Sequence, residues 1–287
     1  MITFRYHLVS LAAVLLALAA GVALGSGLLD DTGSRLSGDG DGPDPALTRF
    51  ESGYAARTAP ALLDGKLARR SVAVLTLPGA RSAEATSIVS DLEDAGATVT
   101  ARGELKAKLL DASERQFAEG VAQESAGDVP GVDDEGGSYA RVGAALSRTY
   151  LGTAGRAIGD KGTAISAAFD EAGLLSWSKR PTRLADLVVL VAGPGRAEDS
   201  GEVLATLATA FDRAGKGVVV AGPARSGEDG GTIAAVRGSS AAGEVSTVDV
   251  TDSAAGRVVT ALALAKEAGG TSGSWGTARS ADGAVPR

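Results

Sequence analysis

A chain of 287 residues with 44% hydrophobic side chains can bury a sizeable core, and its net charge of −7 argues against nucleic-acid phosphates, which need a basic face. It has no cysteine, one histidine (His7) and one methionine (Met1), which removes disulfides, thiolate metal sites and cysteine nucleophiles. Beyond residue 7 neither a Ser-His-Asp triad nor a zinc site with imidazole ligands can be assembled.

From Tyr6 to Leu29 there is no Asp, Glu, Lys or Arg, and Leu, Val and Ala dominate. At about 1.5 Å per residue a helix over Leu8–Leu29 spans roughly 33 Å, enough for a hydrocarbon core of about 30 Å. Arg5 precedes the run and Asp30 and Asp31 follow it, so a cytoplasmic N-terminus and an exported body are expected. A cleaved signal peptide is the alternative, with Ala17-Leu18-Ala19 or Ala23-Leu24-Gly25 as the cleavage site. Its apolar stretch is usually only about 7–15 residues. Both readings export the body.

Thr32–Asp44 (TGSRLSGDGDGPD) reads as a solvated tether. Asp44-Pro45 resembles an N-cap with proline at the first helical position, and Leu47, Phe50, Tyr54, Leu62 and Leu63 continue at loosely helical spacing. Pro60 is expected to kink or end that helix, leaving it short and broken. Ser71–Leu77 is the first convincing strand, Ser82–Ala95 a helix stopped by Gly96, and Thr98–Ala101 a short second strand. Residues 103–176 read as mostly helical around an acidic loop, Ser125–Gly137, which lacks the EF-hand pattern. Strand and helix then alternate through Ala185–Ala192, Glu202–Ala214, Gly217–Ala221, Glu244–Val250 and Ser253–Ala268. The Gly/Ser-rich tail from Gly269 is expected to be disordered.

Continuously apolar strands alternating with amphipathic helices indicate a mainly parallel sheet covered on both faces. The expected fold is α/β: an N-terminal transmembrane helix, then a doubly wound, five-stranded sheet in flavodoxin-like order. The expected domains are 1–29 (tip and anchor), 30–69 (tether and broken helix), 70–268 (exported α/β body) and 269–287 (tail).

One local echo supplies a candidate site. Val191-Ala192-Gly193-Pro194-Gly195-Arg196 and Val220-Ala221-Gly222-Pro223-Ala224-Arg225 both end strands with V-A-G-P-x-R, and Leu77-Pro78-Gly79-Ala80-Arg81 is a weaker cousin. Ligands of open α/β sheets bind beyond strand carboxyl ends, so Arg81, Arg196 and Arg225, with helix N-termini beside Ser82 and Ser200, are candidates for an anion site. The plainer reading is that Gly-Pro turns end strands and the arginines face water or pair with Glu84, Glu198 and Glu228. No G-x-G-x-x-G or P-loop follows any strand. No catalytic residue, metal ligand or cofactor is singled out.

Met1–Gly27, in the order M-I-x-x-R-x-H-x-x-S-L-A-A-V-x-L-A-L-A-x-G-V-x-L-G-S-G, resembles the start of the actinobacterial MctB family of copper transport outer-membrane proteins. The resemblance resumes over Gly243–Gly276, through Glu244-Val245-Ser246-Thr247-Val248-Asp249, Gly256-Arg257 and the closing Gly-Ser-Trp-Gly-Thr. Relatives carry a charged, heptad-like helix after the anchor, whereas this chain has the Gly/Asp-rich stretch. The resemblance implies copper transport or homeostasis in the envelope, with a membrane protein partner. The residues offer copper(I) no thiolate, and no thioether or imidazole apart from Met1 and His7. Two readings stand: a non-enzymatic, membrane-anchored envelope protein acting through partners, and an external ligand-binding or hydrolytic domain using the strand-end arginines.

Overall fold

The computed structural model describes residues 44–127, 137–195 and 200–286. The expected anchor and most of the tether lie outside these, as do Arg196, Glu198 and most of the acidic loop. Among the described residues no helix is long and apolar enough to cross a membrane.

Helix α1 is Pro45–Leu63, and the Asp44 carboxylate accepts from the Ala46 amide at 2.8 Å, which makes Asp44 its cap. The helix is not short and broken, because it runs on through Pro60. Proline sits in the last turn, where only one backbone bond is lost and little helix remains to be bent. Residues 64–70 then turn into β1 (Ser71–Thr76). Its start is held by Asp186, whose carboxylate accepts from the Ser71 amide and from Arg70, both at 2.9 Å.

Helix α2 (Ser82–Asp94) leads to β2 (Thr98–Leu105), twice the length expected. Four helices follow: α3 (Ala107–Leu110), α4 (Arg115–Ala126), α5 (Gly137–Tyr150) and α6 (Asp160–Glu171). The chain then forms β3 (Leu175–Lys179), β4 (Leu187–Val191), α7 (Ser200–Ala214), β5 (Val218–Ala221) and α8 (Thr232–Arg237). It closes with β6 (Ser246–Val248), α9 (Ala254–Glu267) and β7 (Ser274–Trp275).

The sheet has seven strands in the order β3-β2-β1-β4-β5-β6-β7, not five. The five anticipated strands stand among themselves as 2-1-3-4-5, and the two extra ones lie at the margins. Strand β3 runs antiparallel to β2, and its Leu-Ser-Trp-Ser-Lys is half exposed, without the apolar run that betrays a central strand. Strand β7 pairs parallel to β6 through Thr247–Ser274 and Val248–Trp275, so the segment after Gly269, expected to be disordered, extends the sheet. All other pairings are parallel.

Both faces are covered. Ile165, Phe169, Leu204, Leu207 and Phe211 pack on one side with Tyr150, whose ring meets Trp177 and Phe211 edge-on. On the other side Ile88 and Leu92 of α2 and Val259 and Leu264 of α9 pack with Leu63 and Leu67. The carboxyl ends of β1, β4, β5 and β6 therefore share one edge of the sheet, where a site of this fold would lie.

Candidate functional site

Strand carboxyl ends emit four loops. Arg81 leaves β1 as the N-cap residue of α2, in extended backbone, with its side chain exposed. Arg225 leaves β5 inside a short 3-10 turn, Ala224–Gly227, and is also exposed. In the sheet β1 and β5 are separated by β4, which places the two strand axes roughly 10 Å apart. Arg196 belongs to the β4 loop outside the described residues, so the trio cannot be drawn as one site. Of the acidic neighbours, Glu84 is buried and feels Arg81, whereas Glu228 is exposed.

The switch point of this strand order lies between β1 and β4, the usual ligand crevice. Here the two loops meet. The Leu77 amide donates to the Val191 carbonyl at 2.8 Å, and a Cβ on Gly193 would collide with the Gly79 carbonyl and come within 2.9 Å of the Ala80 nitrogen. Backbone meets backbone at these residues, and glycine at 193 is what permits the approach. The V-A-G-P turn is thus a packing device in the β4 loop. Its β5 copy behaves likewise, with Gly222 against Ser226 and Ala192.

A polar seam runs beside this closure. Buried Glu84 accepts from the Thr251 hydroxyl, and Asp252 accepts from the Ala224 amide at 3.2 Å. Burial raises the Glu84 pKa, Asp252 adds to the rise, and Arg81 and Arg257 oppose it. On the same helix Asp91 is raised to about 6, mainly by burial. Glu51 of α1 accepts from the Ala255 amide at 2.5 Å, in the first turn of α9. These carboxyls bind loops and helix ends to one another.

The densest arrangement lies at the end of β6, away from the three candidate arginines. Arg237 and Asp249 form an ion pair at 2.6 Å with 5% and 0% side-chain exposure. The other Asp249 oxygen accepts from the Thr277 amide at 2.6 Å, its hydroxyl at 3.1 Å and the Ala278 amide at 3.2 Å. Arg237 also donates to Thr247 Oγ1 at 2.8 Å and to the Trp275 carbonyl at 3.1 Å. Gly276, at φ +135°, abuts the Asp249 carboxylate so closely that any Cβ would displace it. Further along, Ser246 Oγ accepts from the Gly273 amide at 3.1 Å, and Ser274 accepts from the Thr247 hydroxyl at the same distance. The result is a clasp that holds β7 and the turn after it against β6 and α8.

These two segments, Glu244–Asp249 and Gly273–Thr277, carry the C-terminal family resemblance together with Gly256-Arg257 and the helix between them. A family model described as "Copper transport outer membrane protein, MctB" matches residues 1–47 and 46–286. The chain belongs to the MctB family. Similar proteins named "Copper transporter MctB" occur in Mycobacterium tuberculosis and Mycobacterium bovis, each 28% identical over 290 residues, covering 92% of both chains. Another so named, from Mycobacterium leprae, is 28% identical over 319 residues and covers 98% of both. In this chain no three His, Cys, Asp or Glu side chains come together as a metal-binding group among the described residues. The MctB resemblance at residues 244–249 and 273–277 therefore falls on a fold-stabilising network. The sequence held a signal for it, a buried-strand Asp and a Gly-Ser-Trp-Gly-Thr turn, but not the pairing across 28 residues.

Proposed function

We propose that this MctB-family protein is a membrane-anchored component of the cell envelope that serves copper homeostasis through protein partners, without enzymatic activity. The carrying observation is the donor inventory: from residue 8 to residue 287 there is no Cys, His or Met. Copper(I) gains little from carboxylate and amide oxygens, so the body lacks the soft ligands that a carrier of that ion would use. Among the described residues the sheet is open, with β3 and β7 at its margins, and no helix is long and apolar enough to cross a membrane, which does not favour a pore built by one chain. The charge-free run over residues 6–29, with Arg5 before it and Asp30-Asp31 after it, supports an anchor with the N-terminus in the cytoplasm and the body outside.

The test is a copper(I) titration of the full chain in detergent against a chromogenic chelator. No submicromolar site is expected after His7→Ala. A tight site that survives both that substitution and oxidation of Met1 to its sulfoxide would refute the reading and return copper to the body itself. In cells, loss of copper tolerance on deleting the chain should be reversed by the His7→Ala protein as fully as by the original.

A further inference from the structure

Among the described residues nothing covers one apolar face of helix α1. Leu47, Phe50 and Tyr54 are 63%, 69% and 63% exposed, and the Phe50 and Tyr54 rings stack with centroids 6.3 Å apart. The inward stripe of the same helix is Ala55, Ala59 and Leu63, packed with α2 and α9. At 100° per residue the two stripes lie on nearly opposite sides of the helix, and residues 44–50 are exposed whichever way they face. Exposed Ala61, two turns after Tyr54, lies on the same side, and exposed Arg57, two turns after Phe50, flanks it. Large aromatic and aliphatic side chains standing in water in this way mark an interaction surface.

We propose that this face lies on the surface of the lipid bilayer in which the chain is anchored. The inference rests on the anchor reading above. The chain preceding α1 argues for it: only residues 30–44 separate the end of the charge-free run from the helix, and 15 residues reach at most about 50 Å even when fully extended. The three most exposed large hydrophobic side chains also belong to the first half of the helix, the half nearest the anchor in sequence. Phe and Tyr suit the headgroup level, where a ring is part buried and a hydroxyl stays wet, and Arg57 can reach phosphates along the edge of the stripe.

Area argues against a second copy as the cover. The stripe exposes roughly 500 Å², so a symmetric pair would bury about 1,000 Å², below the range of about 1,200–2,000 Å² typical of stable pairs. A bilayer surface needs no such threshold, because the anchor already holds the helix beside it.

The test uses the full chain in vesicles of phosphatidylcholine and phosphatidylglycerol, with Phe50→Trp as the probe and Ala56→Trp, exposed away from the stripe, as the control. Brominated phosphatidylcholine should quench the added emission of Phe50→Trp at least roughly twofold more than that of Ala56→Trp. The ratio should not change as protein is diluted in lipid. Equal quenching of the two probes overturns the proposal while leaving the anchor intact. An emission shift at Phe50→Trp that fades on dilution assigns the face to a second copy and overturns it too. Protein lost from washed vesicles overturns the anchor reading together with this one.

Discussion

Asp249→Asn is the sharpest test of the clasp at the end of β6. The substitution keeps the side chain's shape and removes its charge, so packing is preserved and only the polar contacts change. With the amide nitrogen toward Arg237, two donors face each other and a guanidinium at 5% exposure loses its counter-charge. Turned the other way, the nitrogen meets the Thr277 and Ala278 amides, which now donate to Oδ1 at 2.6 and 3.2 Å. Neither orientation satisfies the site. Removing one partner of a buried pair costs about 3–5 kcal/mol, a large part of the roughly 5–15 kcal/mol that holds a domain together. The assay is guanidinium unfolding of the full chain in detergent, followed by far-ultraviolet circular dichroism and by tryptophan emission. Trp275, 8% exposed within the clasp, reports its local release. Replacing both partners, Arg237→Met with Asp249→Leu, should be much milder than Asp249→Asn, because no unpaired charge is left. A loss below about 1 kcal/mol for Asp249→Asn, with native emission from Trp275, would refute the argument that this network secures the C-terminal segment.

Glu267 lies at the opposite end of the sheet, and burial, reinforced by Asp212, raises its pKa from the ordinary 4.5 to about 7 against the pull of Ser246 and Ser272. The folded state therefore binds its proton more tightly than the unfolded chain, and its stability contribution is complete below pH 4.5 and lost as pH rises through about 7. Glu267→Gln should remove that slope and be the more stable protein at pH 8, by at most about 3 kcal/mol, as denaturant midpoints across pH would show. Gly193→Ala should destabilise by about 1–3 kcal/mol through collision with the Gly79 backbone, whereas the open turn position Gly195 should accept Ala at little cost in the same unfolding experiment. A reporter fused after Arg287 should work only if it is of the kind active outside the cytoplasm; activity of a cytoplasm-only reporter there would reverse the proposed orientation.

Strand β4 shows what the sequence determined by itself. Leu187–Val191 is buried throughout, and a run of five β-branched and aliphatic residues between turn signals has few other places to go. The same holds for β1 and β5 and for the apolar stripes of α2, α7 and α9, so the layered α/β class and the relative order of five strands were legible. Copper-donor chemistry was legible as well, because it depends on which residues exist. The margins were decided only by tertiary packing. Strand β3 is a polar edge that pairs because Trp177 seats against Tyr150 and donates to Ser166, contacts 11 to 27 residues apart. Strand β7 is two residues long and persists because Asp249 and Arg237 clasp the turn beyond it. The candidate anion site is of the same kind: periodicity places Arg81, Arg196 and Arg225 at strand ends, but whether they converge depends on how near the loops come, and Arg196 lies outside the described residues. At Gly193 and Gly79 two of the loops touch, an outcome of sheet geometry that no local run of residues encodes.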